Sequence, residues 1–371
     1  MLNRLQIDTA RDFGMAAVPA TSHAPVRSRV VLLGGANPDA CVALNARRLL
    51  DAASASIDWI LPGDTGAEAL RAQPDGCDQP QLVLSAPASR RAPWQPSQIG
   101  LFATLNVTRV LPGLYGHRTA AGPDIAIIRH HDQPAAATGE GASIPALMRT
   151  INLAFQFARL NRRPGITGTC DTRQLGAPGN PFEVAFRQVS GAFAGIEAEC
   201  WSVSRCSRKL VQGPNEPMTI VASGNTGDAL ANLAASTVVT PNLISQIHAG
   251  EQAIVFTSRH AEAAGFADCG YANPTGCILS AVTLLDHLGN RAAAATILHA
   301  LLATLEEGSE LTPDIACRYP GVSTRQFTNA VIANLGNRST AHSAAHWPYV
   351  QLPRTVPPAL EHVVNQKLST I

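Results

Sequence analysis

The chain has 371 residues, 46% of them hydrophobic and 15% charged, which suits two or three packed lobes of an ordinary globular protein. A formal charge of +1 leaves no bulk field to gather nucleic acid or an anionic membrane surface. No apolar run reaches the roughly 18 to 20 residues of a spanning helix; the stretches 278–288 and 292–305 are broken by Asp286, His287 and His299.

The first 30 residues carry Arg4, Arg11, Arg27 and Arg29 against Asp8 and Asp12, a weak presequence character in an N-terminal extension. RVVLLGGANPDACVALNARRLLDAA then reads as strand, Gly-Gly turn and helix, with apolar residues at helical spacing through Leu50. IDWILP (57–62) and QLVLSAP (81–87) read as buried strands, so the opening is α/β, and the Pro/Ala/Gln stretch 86–98 as a loop. LFATLNVTRVLPGL and PDIAIIRHH are strand-like, and 131–143 is a small, polar, flexible loop. IPALMRTINLAFQFARLNRRPG is helical up to Pro164 and Gly165, PFEVAFRQVSGAFAG is helical, TIVAS is a strand, and Asp228 to Thr237 is another helix. From Asn273 to Gly308 two helices follow, closed by Gly289 and Gly308. After Asn337 periodicity is lost, and the last 35 or so residues form an extension that packs on a partner or on the body. The eight cysteines have no zinc-like spacing and read as idle thiols in a reducing compartment.

Several of these segments, in order, resemble the isocitrate/isopropylmalate dehydrogenases, metal- and NAD(P)-dependent β-decarboxylating enzymes. They are GGANPDACVALNARRLLDAA, LFATLNVTRVLPGL, DIAIIRHH, GNTGDALANLAA, GYANPTGCILSAVTLLDHLG and LTPDIACRYPGVSTRQFTNAVIANL, and together they extend over about residues 30–337. The resemblance implies an α/β, interleaved two-lobe fold. Its large lobe would come from 31–100 and 250–337, its small lobe from 101–249, with extensions at 1–30 and 338–371. It also implies a homodimer, or a heterodimer with a related subunit, through the Ala/Leu faces of helices starting at Asp228 and Asn273.

The family chemistry implies a divalent cation on acidic side chains, arginines on the substrate carboxylates, and a Lys/Tyr pair for proton transfer. Of three metal-binding aspartates Asp228 is retained, the second matches Asn232, and the third, on the strand before CSRKLV, matches Ser204. One carboxylate, an amide and a hydroxyl hold a hard cation poorly. Asp228 then reads as a helix-capping carboxylate inherited from a metal site. Arg129 survives among the substrate arginines and reads as a structural ion pair; another matches Asn106, and an upstream one falls near Pro96. The catalytic lysine aligns with Asp171, its neighbouring asparagine with Arg173, and the tyrosine with Ala136. In the adenine loop His260 and Asn273 match, but Gly265 stands where the aspartate belongs, and Asn273 with Pro274 reads as a helix start. His130 and His131 beside Asp132, and the pair His342 and His346, have the residue types of new acid/base or metal sites but lack partners.

The sequence thus reads as a pseudoenzyme with no catalytic residues, no metal and no cofactor. It would be a structural subunit of a larger mitochondrial assembly, of respiratory-chain or ATP synthase type, bound to protein partners. One alternative is a non-catalytic regulatory subunit of a hetero-oligomeric NAD-dependent isocitrate dehydrogenase. Another is an NAD-dependent dehydrogenase acting on an altered substrate through Arg129, Asp171 and Asp228, and a cytoplasmic location is the alternative to the mitochondrial one.

Overall fold

A computed structural model describes residues 28–34, 41–61, 80–86, 99–111, 114, 123–131, 143–170, 176, 179–214, 216–259, 270–316, 320–339 and 350–353. The N-terminal residues 1–27, and with them the presequence character, lie outside this set, as do Pro96, Asp132, Ala136, Asp171, Arg173, His260, Gly265, His342 and His346.

Ten strands form one mixed sheet in the order β2-β1-β3-β10-β9-β4-β5-β8-β6-β7. They are β1 (Ser28–Leu33), β2 (Ile57–Ile60), β3 (Gln81–Ser85), β4 (Leu101–Arg109), β5 (Asp124–His130), β6 (Gly165–Thr169), β7 (Glu197–Cys200), β8 (Met218–Ala222), β9 (Ser245–Gly250) and β10 (Ala253–Ser258). The β4 strand is antiparallel to both β5 and β9, and β9 is antiparallel to β10, while the outer pairs are parallel. One half of the sheet therefore comes from residues 28–85 plus 253–258, and the other from 101–250. All nine residues of β4 are buried, as expected of a central strand. By contrast β2 is an edge strand and only half-buried, and Leu61 beyond it is 59% exposed, which corrects the reading of IDWILP as buried.

The helices are α1 (Val42–Ala52), α2 (Ile144–Leu160), α3 (Pro181–Ser190), α4 (Val203–Gln212), α5 (Gly224–Ala235), α6 (Thr275–His287), α7 (Arg291–Glu307) and α8 (Thr324–Ala333). On one face of the sheet α2 and α3 cover the half around β5, β8 and β6, and α1, α6, α7 and α8 pack together over the other half. On the opposite face, Ile125, Ile127, Met218 and Ile220 pack under α4 and α5. Several ends follow local chemistry. Ser143 accepts the Ala146 N–H at the start of α2, Asn180 caps α3 ahead of Pro181, and Gly308 closes α7 in the left-handed conformation.

Five expectations change. The α2 helix stops at Leu160, and Gly165 opens β6 instead of ending the helix. The helix expected at Asp228 starts one turn earlier, at Gly224 behind Ser223, so Asp228 is interior to α5 and does not cap it. Ser204 lies in the first turn of α4, not on a strand. The helix expected at Asn273 starts at Thr275, although the Asn273 side chain still accepts the Thr275 N–H at 3.0 Å. Finally, α6 is enclosed by β9, β10, α1 and α7, leaving only Leu279 and His287 partly exposed, so its apolar face is used within the chain.

Candidate functional site

Side chains alternate along a strand, so one face of β4 carries Thr104 and Asn106, and the sheet register sets their neighbours. Thr104 stands opposite Arg129 on β5 and His248 on β9, while Asn106 stands opposite Gln246. A polar patch thus sits on three central strands, on the side roofed by α5. The roof comes close because residue 227 is glycine: a Cβ there would lie 2.7 Å from Cγ of Arg129.

Under that roof Arg129 donates from Nη1 to Asp228 Oδ2 at 2.7 Å. The two family positions retained among these residues are therefore bonded to each other, and the reading of Arg129 as an ion-paired residue holds. Asp228 is correspondingly an ion-pair partner and not a cap. The pair is part-exposed, with side-chain exposures of 21% and 47%, so its stability contribution is about 1 kcal/mol or less.

A second guanidinium, that of Arg259, follows β10 and immediately precedes His260 of the adenine loop, with no family role assigned to it. It donates from Nη2 to Asn232 Oδ1 and from Nη1 to Asn106 Oδ1 at 3.4 Å, and Gln246 Nε2 also donates to Asn106 Oδ1 at 2.9 Å. Arg259 bridges the two positions where the resemblance implies a metal carboxylate and a substrate arginine. Burial lowers its pKa; the field of Asp228 opposes this shift and that of Arg129 adds to it, so the three charges act as one cluster.

Deeper in the patch, the Thr104 hydroxyl lies 2.5 Å from His131 Nε2 and 2.9 Å from His248 Nδ1. Burial pushes the His131 pKa down to about 2 and that of His248 to about 3, with Arg129 adding to both. Both rings are therefore neutral at ordinary pH. His130, on the opposite side of β5, pairs through Nδ1 with Thr150 Oγ1 at 2.8 Å. The expectation that His131 belongs to a flexible polar loop is corrected: His130 is buried at the end of β5 and His131 is buried directly after it.

The expected cation does not fit these residues. The Asp228 carboxylate is engaged by Arg129, the Asn232 oxygen by Arg259, and Ser204 is exposed on α4. Among the described residues no group of three or more His, Cys, Asp or Glu is placed to hold a metal. On the nucleotide side, the Asn273 oxygen accepts from Thr275 and its Nδ2 donates to Asp314 Oδ2 at 3.2 Å, so the amide is committed to its own helix and loop. Among the cysteines, Cys41, Cys170, Cys206 and Cys277 are buried; Cys200 is exposed, yet burial of its thiol raises its pKa to about 11.

Sequence reasoning finds Arg129, Asp228, Asn232 and Asn106, which the structure brings together, and it misses Arg259, Gln246, Thr104 and His248. Strand alternation in ATLNVT and SQIHAG puts Thr104, Gln246 and His248 on one face with Asn106, and that pattern is the signal that could have found those three; Arg259 has no such signal.

A model of the isocitrate/isopropylmalate dehydrogenase family matches residues 118–331, more than half of the chain. The NADP isocitrate dehydrogenase of Thermus thermophilus is 28% identical over 247 residues, covering 63% of this chain and only half of the relative. A Dictyostelium discoideum protein named as a mitochondrial regulatory subunit of NAD isocitrate dehydrogenase is 27% identical over 263 residues, covering 67% of this chain and 72% of the relative. For the fold, the crystal structure of isocitrate dehydrogenase from Methylococcus capsulatus superposes with a TM-score of 0.67 at 21% identity, over 83% of this chain and 99% of that one. The chain belongs to the isocitrate/isopropylmalate dehydrogenase family and has its α/β fold.

Proposed function

We propose that this chain is a non-catalytic subunit of a hetero-oligomer, of the regulatory type, working beside a catalytic relative in mitochondria. The observation that carries the reading is mutual satisfaction of the polar groups: Arg129 is held by Asp228, and Arg259 is held by Asn106 and Asn232. An enzyme of this chemistry needs those groups poised toward substrate and metal, where they strengthen their contacts in the transition state. Support for the regulatory kind of role comes from relatives: two Dictyostelium discoideum proteins of this family are named as mitochondrial NAD isocitrate dehydrogenase regulatory subunits.

Two measurements test the proposal. Purified alone with Mn2+ and NAD or NADP, the chain turns over neither isocitrate, isopropylmalate, tartrate nor malate; turnover above background overturns the non-catalytic assignment. Tagged in its own cells, it co-purifies with a catalytic isocitrate dehydrogenase subunit and changes the kinetics of that subunit. Stoichiometric co-purification with a respiratory-chain or ATP synthase complex, without such a subunit, replaces the regulatory role by a structural one.

A further inference from the structure

The face of β4 and β9 opposite Arg129 carries Leu105 and Val107 on β4 and Ile247 and Ala249 on β9, with Arg109 and Ser245 at one end. Helix α2 borders it on one side, α6 and α7 on the other, and the gap between them is filled by four residues from near the end of the chain, Val350 to Pro353. Val350 lines a cleft with Leu279 and Val282 of α6 and Leu298 of α7, while Leu352 and Pro353 line another with Leu153 and Phe157 of α2.

Val350 is part of the main buried core and Leu352 packs against it, yet two features set the segment apart. Its backbone is gripped as a neighbouring strand would grip it: Gln351 N–H donates to Asn161 Oδ1, and Asn161 Nδ2 donates back to Gln351 C=O, each at 2.9 Å. Asn161 Nδ2 also donates to Phe157 C=O at 2.8 Å, which fixes the orientation of the amide. Two main-chain hydrogen bonds with alternate side chains in apolar seats are the features of bound extended peptides. The seat also leaves open space beside the segment. Cavities of about 30 and 20 Å³ lie against the segment, one walled by Val350 and the other by Leu352 and Pro353.

We propose that the groove between α2 and α6–α7 is a peptide-docking site occupied in cis by Val350–Pro353, and that this segment is a strap able to leave and re-seat while the sheet stays folded. The strap lies near the join between the two halves of the sheet: Leu352 and Pro353 line one cleft together with Ile254 of β10 and with Ile247 and Ala249 of β9. Its seat shares β4 and β9 with the polar patch on the other face.

The test uses the full-length chain. Native-state hydrogen exchange should show the Gln351 amide at least about tenfold less protected than Leu105 and Val107, because it opens locally; equal protection, meaning release only by global unfolding, overturns the proposal. Leu352→Glu should unseat the strap and leave the circular dichroism spectrum native; an unfolded variant also overturns it, since a strap must be dispensable to the fold. A fluorescein-labelled peptide of residues 346–357 should bind Leu352→Glu at least about tenfold more tightly than wild type, whose groove is already filled. Adding Asn161→Ala to Leu352→Glu should remove that gain. Equal binding by wild type and Leu352→Glu, or no binding by Leu352→Glu, sinks the idea.

Discussion

Asp124 and Asp228 each pair with arginine, and their surroundings decide how much each pair contributes. Asp124 Oδ1 accepts from Arg109 Nε at 2.9 Å and from Arg163 Nη2 at 2.5 Å, and the two guanidiniums are only 8% and 1% exposed. Burial alone would raise the Asp124 pKa, but the two arginines outweigh it and hold the carboxyl below its ordinary range. Its stabilising contribution is therefore present above the unfolded value of 3.8 and is lost as pH falls through the lower folded value. Asp124→Ala leaves two buried cations without this carboxylate and should lower unfolding free energy by about 3 kcal/mol or more. Asp228→Ala, at an open pair, should cost about 1 kcal/mol or less; denaturant midpoints of the two variants check the contrast. At this scale the sequence discloses Arg129 and Asp228 through their motifs. Asp124, Arg163 and Arg259 are not legible as partners, because their contacts span 15 to 153 positions and no spacing rule reaches that far.

Elements are legible where periodicity or an end signal is strong. Gly308 reads as the end of α7 and closes it in the structure; Ser143 and Asn180 cap α2 and α3 ahead of Pro145 and Pro181, end signals that the sequence carries but that the periodicity reading leaves unused. Less legible are β6, β7 and β9, whose short segments GITGT, EAEC and SQIHAG lack a run of β-branched residues. Glycines that serve packing are equally silent. In α6, a Cβ on Gly276 would lie 2.7 Å from the carbonyl oxygens of both Asn242 and Ile244 and 2.9 Å from Cβ of Ser258. Alanine is the better helix former by about 1 kcal/mol, yet the backbone it would strike cannot turn away. Gly276→Ala should thus destabilise, by about 1 kcal/mol net once an overpacking cost of about 1 to 3 kcal/mol is set against the propensity gain. A denaturation midpoint above wild type would refute this account of the α6 contact.

For the whole molecule, acid tolerance should depend on the His131–Thr104–His248 chain. Both histidines have folded pKa values far below the unfolded 6.5, so between about pH 3 and 6.5 the unfolded chain binds protons that the folded chain refuses. Stability should fall as pH drops below 6.5, with a slope approaching about 2.7 kcal/mol per pH unit once both rings titrate in the unfolded state. Melting profiles from pH 7.5 to 5 measure it, and His248→Asn should halve the slope; an unchanged slope would remove His248 from the account. The family fold is legible because ordered motifs span most of the chain, whereas this buried chain is not, since it joins three strands from distant parts of the sequence. A bound ion can be diluted, exchanged or stripped by a chelator, but a guanidinium anchored to the backbone has no dissociation constant. The positive charge between Asn106 and Asn232 is inherited with the gene and stays at full occupancy whatever the ionic composition around the protein.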